Sequence, residues 1–227
     1  MELPEDCAGV LLDIDDTLID FSEASPTALA HVLGPDADFA EWRELTERLY
    51  PQFTSGALDY QELERRRLAA LLTRMGRPVP DPQELDAVEA HRRREVESRL
   101  RLYPDVLPFL TRVRASGRRI GVLSNSDGPQ QRRRIDRLGL TPWLDAVTVS
   151  GETGIAKPRR EAFAVACHRL GVPAARTVHI GDSLEADALG AHAAGLGAVW
   201  LHRPHRGPAP APPARGIAVV GTLDALA

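Results

Sequence analysis

Short apolar runs alternate with segments of helical periodicity along most of the chain. After residue 103, the apolar runs are separated by helix-period segments that end in glycine, and they span 119–123, 146–149, 178–180 and 198–201. An earlier run, 9–13, has the same character. Such alternation predicts βαβ units. We therefore expect an α/β fold in which helices cover both faces of a parallel sheet, giving three layers.

Helix signals fill residues 20–102 without an intervening strand pattern. Four helix starts are predicted by capping residues or by a cap followed by proline, at Ser25–Pro26, Asp38, Asp59 (with Glu62 at capping-box spacing) and Asp81–Pro82. Two domains are therefore expected. Residues 1–19 and 103–227 would form a core domain, and residues 20–102 would be a helical insertion after the first strand.

The end of the chain has a different composition. Residues 203–216, RPHRGPAPAPPARG, are rich in proline, glycine and alanine and predict a surface loop of polyproline character within the core. A ligand for an SH3-type domain is a less favoured alternative. The tail 217–227 predicts a further edge strand and a terminal helix.

Composition and charge limit the partners. Among 227 residues, 28 are Lys or Arg and 32 are Asp or Glu, so a formal net charge of -4 leaves no basic excess for a nucleic-acid polymer. The two cysteines lack metal-ligand or disulfide spacing. No apolar stretch has the length of a membrane span or the form of a secretory signal. We expect a cytoplasmic protein, either a monomer or a homodimer, that binds neither nucleic acid nor membrane.

Two arginine-rich runs occur within helical patterns, at residues 64–67 and 131–134. Charge runs on helices are usually solvated faces, so both runs are predicted to be exposed.

Polar and charged residues follow the predicted strands. They are Asp13 and Asp15 after the first strand, Ser124 and Asn125 after the second, Lys157 (the only lysine) after the third, and Asp182 and Asp187 after the fourth. Ligands bind beyond the carboxyl ends of parallel strands, so we expect these side chains to converge there. Clustered carboxylates without histidine or cysteine fit Mg²⁺ shared with a substrate phosphate. A lysine, a hydroxyl and an amide beside them supply what phosphoryl transfer needs.

In order and context, these motifs are similar to those of the haloacid dehalogenase superfamily, most of whose members are phosphatases. The DxDxT motif is residues 13–17, the second motif is Ser124, the third is Lys157–Pro158, and the fourth runs from Gly181 to Asp187. The resemblance extends from residue 9 to about residue 202, nearly the whole chain. It implies a Rossmann-like core and identifies residues 20–102 as a cap of the C1 type.

The resemblance implies a role for each motif residue. Asp13 would be the nucleophile that forms an aspartyl-phosphate, and Asp15 the general acid and then the general base. Mg²⁺ would be held by Asp13, the backbone carbonyl of Asp15, and Asp182. Residues that would bind the phosphoryl group are Thr17, Ser124, Asn125 and Lys157, with Asp187 and Ser183 in support. Asp16 is assigned no catalytic role, and Asp20 is interpreted as a turn or cap residue.

Two motif residues help to choose among reactions. Asp15 argues against carbon–halogen hydrolysis, because the dehalogenase branch lacks this acid. Thr17 favours hydrolysis over a phosphomutase or phosphotransferase acting on a sugar phosphate, which stays an alternative. A non-catalytic regulatory protein of the same fold is a third, less favoured hypothesis. The expected reaction is the Mg²⁺-dependent hydrolysis of a small phosphomonoester.

Segments outside the motifs are more weakly similar to the pyrimidine 5′-nucleotidase and N-acylneuraminate-9-phosphatase branch. This similarity makes a nucleoside 5′-monophosphate a candidate substrate. Aromatic residues of the expected cap that would stack on a base are Trp42, Tyr50, Phe53 and Tyr60. Core packing is the commoner role for aromatic residues at helical spacing.

Overall fold

The computed structural model describes residues 2–208 and 210–226, and these residues form two compact units. One unit combines the chain up to Ile19 with the chain from Arg101 onward, and the other is Asp20–Leu100. Within the described ranges, none of the helices combines the length and the apolar character that a transmembrane span requires.

The unit Asp20–Leu100 consists of four helices, which are α1 (Phe21–Leu33), α2 (Phe39–Thr54), α3 (Tyr60–Arg74) and α4 (Pro82–Arg99). Each follows an aspartate whose side chain accepts a hydrogen bond from a backbone N–H of the first turn: Asp20, Asp38, Asp59 and Asp81. These bonds satisfy amides that the helix itself leaves unpaired. The last three caps confirm the predicted helix starts.

The predicted start of α1 was wrong. Asp20 accepts a hydrogen bond from the N–H of Glu23 at 3.1 Å, so the helix begins at Phe21 and Pro26 lies inside it. Asp20 has the stronger cap chemistry because its carboxylate also faces the positive end of the helix dipole. Its interpretation as a cap residue is confirmed.

Buried charges lie inside this helical unit. Arg67 donates to Glu89 at 3.3 Å, and Arg92 donates to the same carboxylate at 2.8 Å. The two guanidinium groups lie 3.9 Å and 4.7 Å from the centre of the buried Trp42 ring. The prediction that residues 64–67 form a solvated face was therefore wrong for Arg67 and Glu64, which are buried. Helical periodicity indicates which residues share a face, but a buried arginine needs a partner that periodicity does not identify.

The other unit contains a six-stranded parallel sheet. Its strands are β1 (Gly9–Leu12), β2 (Arg119–Ser124), β3 (Ala146–Val149), β4 (Thr177–Gly181), β5 (Gly197–Leu201) and β6 (Ile217–Val220), in the order β3-β2-β1-β4-β5-β6. The α/β fold with a parallel sheet is thereby confirmed. The tail supplies the expected edge strand, but in place of a terminal helix the described residues show a single 3-10 turn, Leu223–Ala225.

Helices and turns connect the strands of this sheet. They are α5 (Val106–Ala115), α6 (Gly128–Arg137), α7 (Ser150–Thr153), α8 (Arg160–Leu170), a π-helical segment Leu184–Leu189, and α9 (Gly190–Ala193). Phe163 and Leu170 of α8 pack with Leu11 of β1 and Leu123 of β2 in a buried apolar cluster. This packing fixes the carboxyl ends of β1 and β2, from which the site is built.

A buried ion pair joins the segment after β5 to the rest of its unit. Arg203 donates two hydrogen bonds of 3.1 Å to Asp105 and one of 2.6 Å to the Thr17 carbonyl. Thr222 and the Leu223 N–H also donate to Asp105, at 2.7 and 2.8 Å. Residues 204–208 and 210–216 are mostly exposed and lack strands and α-helices, but Arg203, at the start of the predicted surface loop, is buried.

Replacement of Asp105 by asparagine is expected to lower the free energy of unfolding by about 3 kcal/mol at pH 7, because Arg203 would stay buried without a counter-charge. Burial alone would raise the pKa of Asp105, but hydrogen bonds from Arg203, Thr222 and Leu223 hold it below its usual value. Because the pKa of Asp105 is lower in the folded protein than in the unfolded chain, where it is near 4, its ionised form stabilises the fold at pH values above about 4. This contribution is lost as the pH falls through the pKa of the folded protein. Urea unfolding should show a full difference above about pH 5 that shrinks towards pH 2; a constant difference would contradict this account.

Candidate active site

The candidate site lies at the carboxyl ends of the central strands, where β1 is flanked by β2 on one side and β4 on the other. Connections leave this point in opposite directions, which opens a crevice in sheets of this kind. Asp13 follows β1, Ser124 is the last residue of β2, and Asp182 follows β4.

Lys157 joins two aspartates of this site. Its Nζ donates to Asp13 Oδ1 and to Asp187 Oδ1, both at 2.6 Å, and all three residues are buried. Asp187 Oδ1 also contacts His179 Nε2 at 2.8 Å, and Asp187 Oδ2 accepts from the Ser183 N–H at 3.0 Å. The Asp187 carboxylate, which has hydrogen-bond partners on both oxygens, therefore holds Lys157 against Asp13, the expected nucleophile.

Gly181 allows Asp187 to reach this position. A Cβ atom added to Gly181 would overlap the Asp187 carboxylate, so any larger residue at the end of β4 would displace it. Ser183 Oγ accepts from the Ala186 N–H at 3.1 Å and caps the π-helical segment that carries Asp187. Ser183, which is expected to support the site, therefore contacts both Asp187 and the segment that carries it.

The other three residues that are expected to bind phosphate, Asn125, Ser124 and Thr17, make different contacts. Asn125 makes two hydrogen bonds with the backbone of Lys157, at 2.8 and 2.9 Å, so in this structure its amide fixes the lysine loop. Ser124 Oγ accepts from Gln131 Nε2 at 3.0 Å. Thr17 is fully buried, and its hydroxyl has no hydrogen-bond partner among the described residues.

Asp15 is held by two side chains of α6. Gln131 Nε2 donates to one carboxylate oxygen at 3.3 Å, and Arg134 Nη1 donates to the other at 3.4 Å. Burial raises the pKa of Asp15 above its usual value, against the opposing charge of Arg134. A raised pKa favours a carboxyl group that gives up and takes back a proton near neutral pH.

Asp16 lies outside this arrangement. Its backbone φ of 59° is in the left-handed region, which aspartate and glycine enter more readily than most residues. Its carboxylate accepts from Arg206 at 3.3 Å, and Arg206 also contacts the Asp182 carboxylate at 2.5 Å.

The site carries more carboxylates than its lysine can neutralise. Burial raises the pKa of Asp13 well above its usual range, with Asp187 and Asp182 adding to the rise and Lys157 opposing it. Burial and the nearby Asp187 raise the pKa of Asp182 to about 7. Burial would also raise the pKa of Asp187, but Lys157 and His179 hold it well below its usual range. A further positive charge beside Lys157 and Arg206 would therefore favour the ionised forms of Asp13 and Asp182.

These carboxylates fit a divalent cation. Ligand atoms of Asp13, Asp182 and Asp187 all lie within 4.8 Å of one another. Oxygen-only ligation suits Mg²⁺. Since both oxygens of Asp187 are already bonded within the protein, Asp13 and Asp182 are the side chains of this group that would hold the ion.

Several residues around the site were missed by sequence reasoning. Gln131 and Arg134 belong to a run that predicts a solvated face, yet both are buried, so this prediction was wrong for them. Arg206 lies in a segment whose composition indicates only a surface loop. His179 has a visible signal, because a histidine within an otherwise apolar strand requires a buried partner.

Comparison with known proteins shows which family the chain matches. The family model of the haloacid dehalogenase-like hydrolases matches residues 7–195. The chain is 30% identical over 201 residues to glyceraldehyde 3-phosphate phosphatase of Methanopyrus kandleri, covering 86% of this chain and 84% of the relative. It is 28% identical over 204 residues to pyrimidine 5′-nucleotidase YjjG of Escherichia coli, covering 87% of each. The magnesium-bound crystal structure of Bacillus subtilis YfnB superposes with a TM-score of 0.77 at 25% identity, covering 96% of both chains.

The chain belongs to the haloacid dehalogenase-like hydrolase family. With phosphatases and a nucleotidase among its relatives, it is an enzyme of the phosphatase type. Both the family and the weaker similarity to the nucleotidase branch are therefore confirmed.

Proposed function

We propose that the protein hydrolyses a small phosphomonoester in a Mg²⁺-dependent reaction that passes through a phosphorylated Asp13. The observation that carries the proposal is the Lys157 ammonium group held at 2.6 Å from both Asp13 and Asp187, with Asp15 two residues from the nucleophile. Lysine offers charge to the transferring phosphoryl oxygens, and the second carboxyl group offers a proton.

The proposed reaction has two displacements. An oxygen of Asp13 attacks phosphorus and the ester P–O bond breaks, while Asp15 gives its proton to the departing alcohol oxygen. Asp15 then removes a proton from water as the water oxygen attacks the same phosphorus. The bond to Asp13 breaks, and inorganic phosphate leaves. Two steps with a carboxylate nucleophile replace one direct attack by water on a dianion.

Lys157 and the Ser124 hydroxyl would bind the phosphoryl oxygens, and Asp13, Asp182 and the backbone carbonyl of Asp15 would hold Mg²⁺. When bound, the ion neutralises charge on the phosphoryl group and on the two carboxylates. Asp187 fixes Lys157 through the contacts described above.

The helical residues 20–102 are proposed to act as the cap that sets substrate choice. Within this unit, Tyr50, Phe53 and Tyr60 pack edge to face, with ring centres 5.6 and 5.4 Å apart. Trp42 is buried and contacts two guanidinium groups, which makes it a core residue. The partly buried trio is therefore the better candidate for contact with an aromatic substrate such as a nucleoside 5′-monophosphate.

Phosphate release from a panel of phosphomonoesters tests the proposal. The panel would contain nucleoside 5′-monophosphates, sugar phosphates and glyceraldehyde 3-phosphate, with Mg²⁺ and without an acceptor alcohol. We expect turnover of at least one member, loss of turnover in EDTA, and its recovery when Mg²⁺ is restored. Activity that survives EDTA would contradict the metal assignment. Phosphate transfer that requires an acceptor would favour a phosphotransferase instead.

A further inference from the structure

Two polar residues of α6 are buried against the candidate site without being part of the expected motifs. Gln131 is fully buried and Arg134 is 5% exposed. They lie three residues apart, so both face the same side of the helix. Arg132 and Arg133, between them, are exposed, and Arg132 pairs with Glu152.

The hydrogen bonds of Gln131 are compatible with only one orientation of its side-chain amide. Its Nε2 donates to Asp15 at 3.3 Å and to Ser124 Oγ at 3.0 Å, and its Oε1 accepts from Arg134 at 3.2 Å. Because Arg134 also donates to Asp15 at 3.4 Å, the two side chains hold different oxygens of one carboxyl group. A carboxyl group bonded at both oxygens cannot rotate freely.

Burial of an arginine and a glutamine is unfavourable unless their polar atoms find partners. Here those partners are the expected proton donor and the expected phosphate-binding hydroxyl. The N-cap of α6 fixes the position of this helix. Asp127 accepts a hydrogen bond from the Gln130 N–H at 3.0 Å, so the first turn of α6 is held close to the end of β2.

We infer that Gln131 and Arg134 are positioning residues that hold the carboxyl group of Asp15 in line with the leaving-group oxygen. The inference rests on the proposed function, since Asp15 must be the proton donor. Proton transfer needs heavy atoms within hydrogen-bond distance, and a displacement of about 1 Å can cost on the order of 100-fold in rate. Gln131 also couples this carboxyl group to Ser124, so the proton donor and the phosphoryl contact are held by one amide.

The dependence of activity on the leaving group of the ester distinguishes a positioning role of Gln131 and Arg134 from a merely structural one. An alkyl phosphate such as glycerol phosphate needs a proton on its departing oxygen, whereas p-nitrophenyl phosphate releases a stable phenolate. The quantity to measure is kcat/KM, because it reports the first irreversible step, in which the ester bond breaks. We expect Arg134→Met to lower kcat/KM about 10- to 100-fold for the alkyl ester and less than about 3-fold for the aryl ester. Gln131→Met also removes the hydrogen bond to Ser124, so it should lower kcat/KM for both esters, with a loss about 10-fold larger for the alkyl ester.

Three comparison variants complete the experiment. Asp15→Asn should show the same selectivity more strongly, Arg134→Lys should recover part of the loss, and Arg132→Met on the exposed face should match the wild type. Should a methionine variant fail to fold by circular dichroism, Gln131→Asn keeps the amide but shortens its reach, and it carries the same test.

Each outcome has one meaning. Suppose that Asp15→Asn is selective for the ester but the Gln131 and Arg134 variants lose activity equally on both esters, or lose none. That result would overturn the positioning role. No selectivity in Asp15→Asn itself would overturn the proton-donor assignment, and with it both the proposed mechanism and this inference.

Discussion

Replacement of Asp13 by asparagine is expected to lower kcat for phosphomonoester hydrolysis by on the order of 10⁴-fold or more, because removal of a nucleophile leaves only binding and electrostatic effects. The substitution keeps the shape of the side chain and removes one negative charge from a group of buried carboxylates. The fold should therefore survive, and circular dichroism with urea unfolding would check it. Phosphate release with Mg²⁺ measures the loss.

The matched control for this variant is Asp16→Asn, three residues along the same turn. Asparagine tolerates the left-handed backbone of this position, so the turn should persist. We expect this control to retain activity within a few-fold of the wild type. An equal loss in both variants would indicate a general disturbance of the turn. Acid-quenched wild-type enzyme should carry a phosphoryl group on Asp13, and its absence from the trapped peptide would argue against the covalent step.

The strands and their polar ends were predictable because both follow from local pattern. A buried parallel strand requires a continuous apolar run, and the ligand edge of such a sheet lies at the carboxyl ends. Asp13 and Asp182 could therefore be placed at one edge from their positions after β1 and β4. The approach of Lys157 to both Asp13 and Asp187 could be expected from the motifs, but the distances and the shared Oδ1 contact could not.

Partners that lie far apart in the sequence were not predictable from pattern. A run such as residues 131–134 has the same composition whether its arginines face water or a carboxylate, because the partner of Arg134 is Asp15, 119 residues away. The buried pair of Arg203 and Asp105 has the same origin, since composition describes only the loop in which the arginine lies. Periodicity predicts which residues share one face of a helix, but whether that face contacts solvent or a buried partner depends on tertiary contacts.

Local capping chemistry explains the remaining error in the helices. Serine followed by proline is a good start signal, but Asp20 provides a better one five residues earlier, and Pro26 is accommodated inside the helix. Where two start signals compete within two turns, the local sequence alone does not determine which one the chain uses.

Replacement of Lys157 by methionine is expected to reduce both activity and stability. Asp13 and Asp187 would stay buried without their shared cation, which should lower the free energy of unfolding by about 3 to 5 kcal/mol at neutral pH. Loss of the positive charge at the phosphoryl group should lower kcat by about 100- to 1000-fold. Unfolding in urea with EDTA present measures the first effect without a contribution from bound metal.

The pH dependence of this variant identifies the cause. In the wild type, Lys157 keeps the pKa of Asp187 low even though burial acts to raise it. Without the lysine, the pKa of Asp13, which burial already raises in the wild type, would rise further, and burial and mutual repulsion would raise that of Asp187 as well. Near neutral pH the folded variant would therefore bind more protons than the folded wild type does. Its stability should therefore fall relative to that of the wild type as the pH rises, and the difference should widen between about pH 5 and pH 8.

The matched control is Arg159→Met, two residues further along the same loop. Arg159 has a side chain 61% exposed and pairs only loosely, at 3.6 Å, with the equally exposed Glu161. Because an exposed pair contributes little, this variant should unfold like the wild type at every pH. Lys157→Arg keeps the charge in a larger head group, so it should recover more of the stability than of the activity. A Lys157→Met variant whose stability matched that of Arg159→Met, or whose deficit did not change with pH, would show that the buried aspartates do not depend on Lys157 for their charge.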